Sequence, residues 1–256
     1  MVNTTAHDLE SISVEASVWD LDGNLQYHHL EQGVCVTSKK TQTTFQMTYP
    51  TLKNAQPVYF LLLKLIDTSR KTLSRNFYWL HLRGENYKLL ESLRSKKAAI
   101  RMEVKSSLTG RDWRLKVLVE NQLTGLCNTS ISKEVECCYK KDKDVISSCI
   151  WSRICPCLTS KEVSKLFPDE DKQNGRKNPN SVPIAFWLQL SVIYLGDDDQ
   201  EILILPVNYS ENYFSLTPGE KMEIDVSFEN PEKARSNPTL VLSGWNINQR
   251  NIILSL

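Results

Sequence analysis

The sequence has no long apolar run, and this absence removes the first class of protein to consider. No stretch approaches the roughly 18 consecutive apolar residues of a membrane-spanning helix. The first ten residues, MVNTTAHDLE, contain neither a basic region nor an apolar core, so we expect no signal peptide. Charge of one sign is also lacking, since 31 Lys and Arg balance 30 Asp and Glu for a net charge of +1. The composition therefore predicts no binding to nucleic acid and no binding to a membrane.

Groupings of residues typical of catalysis or metal binding are missing as well. The chain has four histidines, and no triad of serine, histidine and acid can be recognised. His28 and His29 are adjacent on a predicted strand, which sends the two rings to opposite faces and prevents joint chelation. The acidic clusters, Asp20 with Asp22 and residues 197–199, lie in turns beside glycine and lack the spacing of a calcium loop. We therefore predict no catalytic residue, no bound cofactor and no metal site in this chain.

Six of the seven cysteines are concentrated in residues 124–180, where the strand pattern is interrupted. The close pairs are adjacent, Cys137 and Cys138, or separated by one residue, Cys155 and Cys157, whereas zinc fingers place about two to four residues between paired cysteines. The segment contains no histidine, and its end, FPDEDKQNGRKNPNS, has the composition of a loop or of disorder. We interpret residues 124–180 as a long loop insertion, and disulfide bonds within it stay open.

What the chain does contain is a succession of short alternating runs separated by turn residues, the pattern of an all-β protein. A half-buried strand is predicted where every second residue is apolar: Ile12, Val14, Ala16 and Val18. Further strands are predicted at residues 25–30, 34–36, 41–49, 57–66 and 73–82. About six strands at this spacing favour an immunoglobulin-like sandwich over residues 1–82. Because its first strand begins almost at residue 1, we expect this domain to lack an edge strand.

Residues 83–97 are predicted to be a linker or a short helix, because they are polar apart from a weak leucine stripe. A second set of strands follows over residues 98–256, interrupted by residues 124–180. Within it, residues 202–220 predict a strand covered on both faces, a corner, a short second strand and a turn. The predicted fold is therefore all-β, with two tandem immunoglobulin-like β-sandwich domains and a long loop insertion in the second.

Aromatic residues are the one group for which a binding role competes with a packing role. Trp and Tyr rings offer flat apolar area to a sugar ring, although filling a core or the contact with a neighbouring domain is the favoured interpretation. The aromatic residues that could form such a platform are Trp19, Tyr78, Trp79, Trp187, Tyr213 and Trp245. Candidates for a sugar or interdomain contact come from two predicted strand segments: Asn76, Tyr78, Trp79, Asn212, Tyr213 and Phe214.

Several motifs together resemble one protein family. VEASVWDLDGN, LSRNFYWLHLRGENYKLLESLRSKK, VPIAFWLQLSVI, ILILPVNYSENYFSLTPGEKMEI and PTLVLSGWN follow one another as in family 2 glycoside hydrolases. The branch is that of exo-β-D-glucosaminidases and plant mannosylglycoprotein endo-β-mannosidases, and the second motif is more similar to the plant enzymes. The resemblance covers most of the chain outside residues 124–180. It implies that residues 98–256 form a sandwich of the exo-β-D-glucosaminidase type.

The resemblance also implies what the chain does. Family members carry two active-site glutamates on a (β/α)₈ barrel, and the acid/base glutamate follows an asparagine. This sequence has no Asn-Glu dipeptide and no alternation of strands and helices typical of a barrel. The chain therefore resembles the non-catalytic C-terminal part of such an enzyme, which supports a catalytic barrel region in the same or a processed chain.

The parent activity implied by this resemblance is cleavage of the Manβ1-4GlcNAc linkage of N-glycans. An N-glycan is then a second expected partner, and the vacuole or the secretory route is open as the location of the parent enzyme. The alternative hypothesis is a stand-alone immunoglobulin-like module that binds carbohydrate or another protein, since this fold serves many functions.

Overall fold

The computed structural model describes residues 1–47, 58–81, 87–123, 181–196, 200–231 and 237–255. The predictions made for residues 124–180 and for the acidic cluster at 197–199 lie outside these ranges. Within them the chain consists almost entirely of antiparallel strands, arranged in three main sheets. This confirms the predicted all-β class.

The first sheet is formed by residues before position 82 and has the strand order β2-β1-β3-β4. Its strands are β1 (Leu9–Trp19), β2 (Leu25–Val36), β3 (Val58–Ile66) and β4 (Thr72–His81). The two strands predicted at 25–30 and 34–36 are one strand, because a bulge with Gly33 at φ +71° lets the chain continue through the turn-like sequence. The strand predicted at 41–49 is wrong for its described part. There Thr41 makes one bridge to Val2, and residues 42–47 are irregular.

A 3₁₀ helix, Tyr87–Ser95, connects the first sheet to a pair of further sheets. One of these is four-stranded, with the order β5-β6-β11-β9, and the other is five-stranded, with the order β10-β7-β12-β13 and β8 also paired with β7. Their strands are β5 (Ile100–Thr109), β6 (Asp112–Asn121), β7 (Ala185–Leu195), β8 (Glu201–Leu203), β9 (Val207–Tyr209), β10 (Phe214–Leu216), β11 (Lys221–Glu229), β12 (Thr239–Ser243) and β13 (Arg250–Ile253).

These two sheets pack face to face as a β-sandwich. Every second residue of β6 and β11 is buried, including Val117 and Ile224, which are fully inaccessible to solvent. They join one apolar core with side chains from β7 and β12, such as Leu190 and Leu240. This is the arrangement expected when strands with a period of two bury one side each against the other sheet.

The prediction of a strand covered on both faces at residues 202–207 is wrong. The chain forms β8 over Glu201–Leu203, adds one hydrogen bond from the Ile204 amide to the Val192 carbonyl at 2.9 Å, and forms its next strand in β9. Leu203 and Leu205 are 51% and 75% exposed whereas Ile204 is buried, so only one side of this segment is covered. The turn predicted at residues 217–220 is present, since the Glu220 amide donates to the Thr217 carbonyl and Gly219 has φ +74°. Proline followed by glycine in these central positions is typical of a type II turn.

Candidate functional site

The first sheet packs directly on the sandwich through a buried contact that we call the seam. Trp19 and Phe60 of the first sheet, Leu93 of the 3₁₀ helix and Phe186 of β7 belong to one apolar cluster. The Phe186 ring lies 5.5 Å from the Phe60 ring and 5.8 Å from the Trp79 ring, in the second case edge to face. Ring pairs at these separations are favourable beyond the area they bury. The seam is thus a small core of its own between the two units.

Backbone contacts make the seam a close fit. Gly23 has φ +81°, and a Cβ atom placed on it would lie 1.9 Å from the carbonyl oxygen of Val182. Glycine is needed there for both conformation and space. The buried side chain of Asn246 accepts a hydrogen bond from the Phe186 amide at 2.8 Å and donates to the carbonyls of Ile184 and Lys96 at 2.8 and 2.9 Å. One asparagine therefore ties the end of the linker to the start of β7.

Beside these apolar residues the seam holds a buried charge centre formed by Glu220, Lys64 and Arg75. Arg75 donates from Nε and Nη2 to the two Glu220 carboxylate oxygens, each at 2.9 Å, and Lys64 Nζ lies 2.8 Å from Oε1. Thr217 donates its amide and its hydroxyl to Oε2, both at 3.0 Å. The Glu220 side chain is 8% exposed. Both oxygens are therefore fully engaged, and the arginine contact has the bidentate geometry that is strongest for this pair.

The charge state of Glu220 follows from these neighbours. Burial is the largest influence and alone raises the pKa of the carboxyl, but the positive charges of Lys64 and Arg75 outweigh it and lower the pKa of Glu220 to about 2. A general acid needs the opposite shift, toward the pH at which the enzyme works. Glu220 therefore holds the two units together and is unsuited to donate a proton near neutral pH.

The first sheet extends this charge centre toward its other edge. Glu15 of β1 lies opposite Lys64 of β3, and its Oε1 is 3.0 Å from Nε2 of His28. The hydrogen bond with His28 is the main reason why the pKa of Glu15 is lowered, and Lys64 adds to it. The contacts of His28, Glu15, Lys64 and Glu220 thus cross from the first sheet into the sandwich.

The strand β4 separates the first group of predicted contact residues. Asn76 and Tyr78 are exposed and lie on one face of the sheet, opposite Leu63 and Leu61 of β3. Trp79 lies on the other face, in the seam. Adjacent residues of a strand point to opposite faces, so these residues cannot act on one ligand together.

The second group of predicted residues divides by role as well. Asn212 uses its amide on the backbone of Leu190, accepting from the amide at 2.8 Å and donating to the carbonyl at 3.0 Å. Phe214 is buried in the sandwich core. Tyr213 is 54% exposed, and its hydroxyl accepts a hydrogen bond from Gln189 at 3.2 Å. Only Tyr213 of this group is available to a ligand.

The residue that joins the two groups is Trp187, one of the aromatic residues considered for a sugar platform although not one of the six contact candidates. Its ring lies 5.3 Å from Trp79 and 6.0 Å from Tyr213, and 38% of the residue is exposed. Trp187 and Tyr213 have φ angles of +53° and +56°, a region that is costly for side chains of this size. The signal was present in the sequence, since Phe186 and Trp187 are adjacent and only one of them can face the core of a strand pair.

Within the residues that the structure describes, no group of three or more His, Cys, Asp or Glu is placed to hold a metal ion. Asp20 instead organises its own turn, accepting hydrogen bonds from the amides of Asp22 and Asn24 at 2.8 and 2.9 Å. No helix in the described ranges has the length and apolar content required to cross a membrane.

Comparison with known proteins places this geometry in context. Residues 159–247 match the exo-β-D-glucosaminidase Ig-fold domain family. Over 98% of its length the chain is 37% identical to mannosylglycoprotein endo-β-mannosidase of Lilium longiflorum, and it is 21% identical to exo-β-D-glucosaminidase of Amycolatopsis orientalis. The chain spans about a quarter of the length of these relatives, 26% of the first and 20% of the second.

A solved structure shares the fold. The crystal structure of Amycolatopsis orientalis exo-chitosanase CsxA matches 99% of this chain with a TM-score of 0.62 at 18% identity, and the match covers 25% of that protein. A complex of the same enzyme with PNP-β-D-glucosamine matches with the same TM-score. The described sheets thus have the arrangement of one part of a much longer protein.

Proposed function

The chain is homologous to one segment of glycoside hydrolases that include mannosylglycoprotein endo-β-mannosidase, and from this premise we propose that it is the non-catalytic C-terminal part of such an enzyme. It supports a catalytic barrel region by packing against it. The parent activity that we propose is endo-β-mannosidase action on the Manβ1-4GlcNAc linkage of N-glycans. The support for this choice over exo-β-D-glucosaminidase is the identity of 37% against 21% to the respective relatives.

The non-catalytic role is supported by the contacts of Glu220 and by its lowered pKa. Retaining glycoside hydrolysis requires two carboxyl groups roughly 5 Å apart, one of them with a raised pKa. Among the residues that the structure describes, the carboxyl with the most strongly shifted pKa is that of Glu220, whose pKa is lowered to about 2 and which accepts from Arg75, Lys64 and Thr217. The buried charge centre therefore fixes the first sheet on the sandwich. Such a fixed arrangement suits a rigid supporting element.

Two measurements test the proposal. The purified chain of 256 residues is expected to show no hydrolysis of a Manβ1-4GlcNAc substrate while it unfolds cooperatively on heating. A chimera in which this chain replaces the matching segment of the Lilium longiflorum relative is expected to hydrolyse that substrate. Retaining hydrolysis by the chain alone would overturn the non-catalytic role, and an inactive or unfolded chimera would overturn the supporting role.

A carbohydrate-binding module is the second candidate, and the exposed rings of Trp187 and Tyr213 favour it. Both rings offer apolar faces, and the Tyr213 hydroxyl and Gln189 lie beside them as hydrogen-bonding groups. Titration calorimetry of the isolated chain with a Manβ1-4GlcNAc oligosaccharide distinguishes the candidates. Binding that disappears in Tyr213→Ala and persists in Tyr78→Ala, a tyrosine on the first sheet, would establish the module.

A further inference from the structure

The outward surface of the five-stranded sheet is apolar at the end formed by β8, β7 and β13. Strand register places Leu203, Ile193, Thr239 and Ile253 side by side in one row. Their neighbours in the core-facing row, Val192 and Leu240, are fully buried, so this row points away from the core. Leu203 and Ile253 are 51% and 68% exposed. We call this surface the apolar face.

The apolar face differs from what a solvated sheet surface requires. An antiparallel sheet with one side in water shows polar residues at alternate positions. Along β7 the outward positions are Trp187, Gln189, Ser191, Ile193 and Leu195, so the polar residues lie in the middle of the strand and the end near β8 is apolar, with Leu195 42% exposed. Among the outward positions of β7, β8, β12 and β13, only Glu201 of β8 carries a charge. Exposed apolar surface of this kind marks a contact with another protein surface.

The apolar face lies on the same sheet as an interface that is already formed. At the opposite end of β7, Trp187 packs on Trp79 in an edge-to-face contact at 5.3 Å, and Trp79 belongs to the seam. The same sheet thus meets the first sheet at one end and leaves its aliphatic end uncovered. The length of the relatives indicates what covers it, since three quarters of the Lilium longiflorum protein lies outside the matching segment.

We propose that the apolar face is the docking surface for the segment of the parent glycoside hydrolase that contains the catalytic region. This inference rests on the proposed function and specifies the surface through which the support is given. The surface of the catalytic segment that contacts the apolar face is itself apolar where it lies opposite Leu203 and Ile253. Aspartate at either position then places a charge without a partner in the contact, which is strongly unfavourable once water is excluded.

The test compares each substitution in two proteins, the chimera and the isolated chain. Leu203→Asp and Ile253→Asp are expected to lower the thermal midpoint of the chimera by more than about 4 °C and the midpoint of the isolated chain by less than about 1 °C. Lys105→Asp is the matched control, because Lys105 is an exposed strand residue on the other sheet of the same sandwich and lies opposite Lys116, so that an aspartate there meets no like charge across the strand pair. It is expected to leave both midpoints unchanged.

The outcomes separate the two proposals. A chimera that does not fold with the unsubstituted chain overturns the proposed function and this inference with it. If the chimera is folded and active, and both aspartates lower its thermal midpoint no more than they lower that of the isolated chain, the proposed function stands. The apolar face is then not the docking surface. If instead the isolated chain forms dimers that either aspartate abolishes, a second copy of the chain is the occupant and the inference is also wrong.

Discussion

The sandwich has two outer faces made by the same alternation of residues, and they present opposite chemistry. On the four-stranded sheet, which we call the charged face, Lys116 lies 3.2 Å from Glu223 and 3.6 Å from Asp225, and Lys221 lies 3.2 Å from Glu120. On the five-stranded sheet the apolar face exposes leucine and isoleucine. Both sheets bury their inner side chains in one core. The difference therefore lies in the residues at the outward positions of each sheet and not in the fold.

The seam shows what an apolar sheet surface looks like once it is covered. The face of the first sheet that carries Trp19 and Phe60 also carries Lys64 and Arg75, and the sandwich covers all four. Covered, it combines packed rings with the satisfied ion pairs of Glu220. We therefore regard an apolar outer face as an interface that lacks its partner, and a charged outer face as a surface suited to contact with water. The predictions below test this distinction, beginning with the seam.

The largest expected effect comes from adding one methyl group to the seam. Gly23→Ala places a Cβ against the Val182 carbonyl and puts alanine at φ +81°, a backbone conformation that is unfavourable for any residue with a Cβ. We therefore expect a loss of about 3 to 4 kcal/mol in the free energy of unfolding. Gly33→Ala is the control, since Gly33 has φ +71° and no atom within 4 Å of the added Cβ. It should cost about 1 kcal/mol by urea denaturation. Equal losses would mean that the seam is not tightly packed.

Removing the buried negative charge is expected to have the next largest effect. Glu220→Gln removes the carboxylate that Arg75 and Lys64 share in the seam and leaves the largely buried Arg75 without that anion, so it should lower the free energy of unfolding by about 3 kcal/mol. The matched substitution on the charged face is Glu223→Gln, whose side chain is 61% exposed. That change should stay within about 0.5 kcal/mol. Chemical denaturation of the two variants measures the contrast, and similar values would contradict it.

Acid should remove the same contribution without mutation. Because the folded-state pKa of Glu220 lies at about 2, below its ordinary value of 4.5, its stabilisation is complete above pH 4.5 and is lost as the pH falls from 4.5 toward 2. The lowered pKa of Glu15 acts in the same direction. Thermal midpoints measured from pH 6 to pH 2 should therefore fall less steeply for Glu220→Gln than for the unmodified chain. Parallel curves would show that Glu220 does not titrate as proposed.

The smallest effect on stability is expected at the outer faces of the isolated chain. Leu203→Ser and Lys116→Met change exposed side chains and should leave the thermal midpoint unchanged. Their effects on association should differ in sign, because Leu203→Ser reduces apolar surface and Lys116→Met adds it. Light scattering at rising protein concentration measures this difference. Equal scattering by both variants would remove the distinction between the two faces.

Much of the fold can be predicted from the sequence because its signals are local. The alternation of Ile12 with Val14, the continuous apolar content of β3 and the proline-glycine turn before β11 each depend on neighbours a few positions away. The prediction of a strand covered on both faces at residues 202–207 was wrong for the same reason, because it too used only local signals. An apolar run does not reveal whether a second layer lies on each side of it, and for Leu203 none does in the described structure.

The sequence by itself determined the strands, most of their turns, the family resemblance and the expectation of a non-catalytic chain. Only the tertiary structure decided that Glu220 meets Arg75, a residue 145 positions away, and that Trp187 links Trp79 to Tyr213. It also decided which apolar face is covered by the first sheet. The physical reason is the separation along the chain over which each kind of interaction acts. Backbone preferences and strand period act between sequence neighbours, whereas charge pairing, ring contacts and burial depend on which surfaces the folded chain brings together.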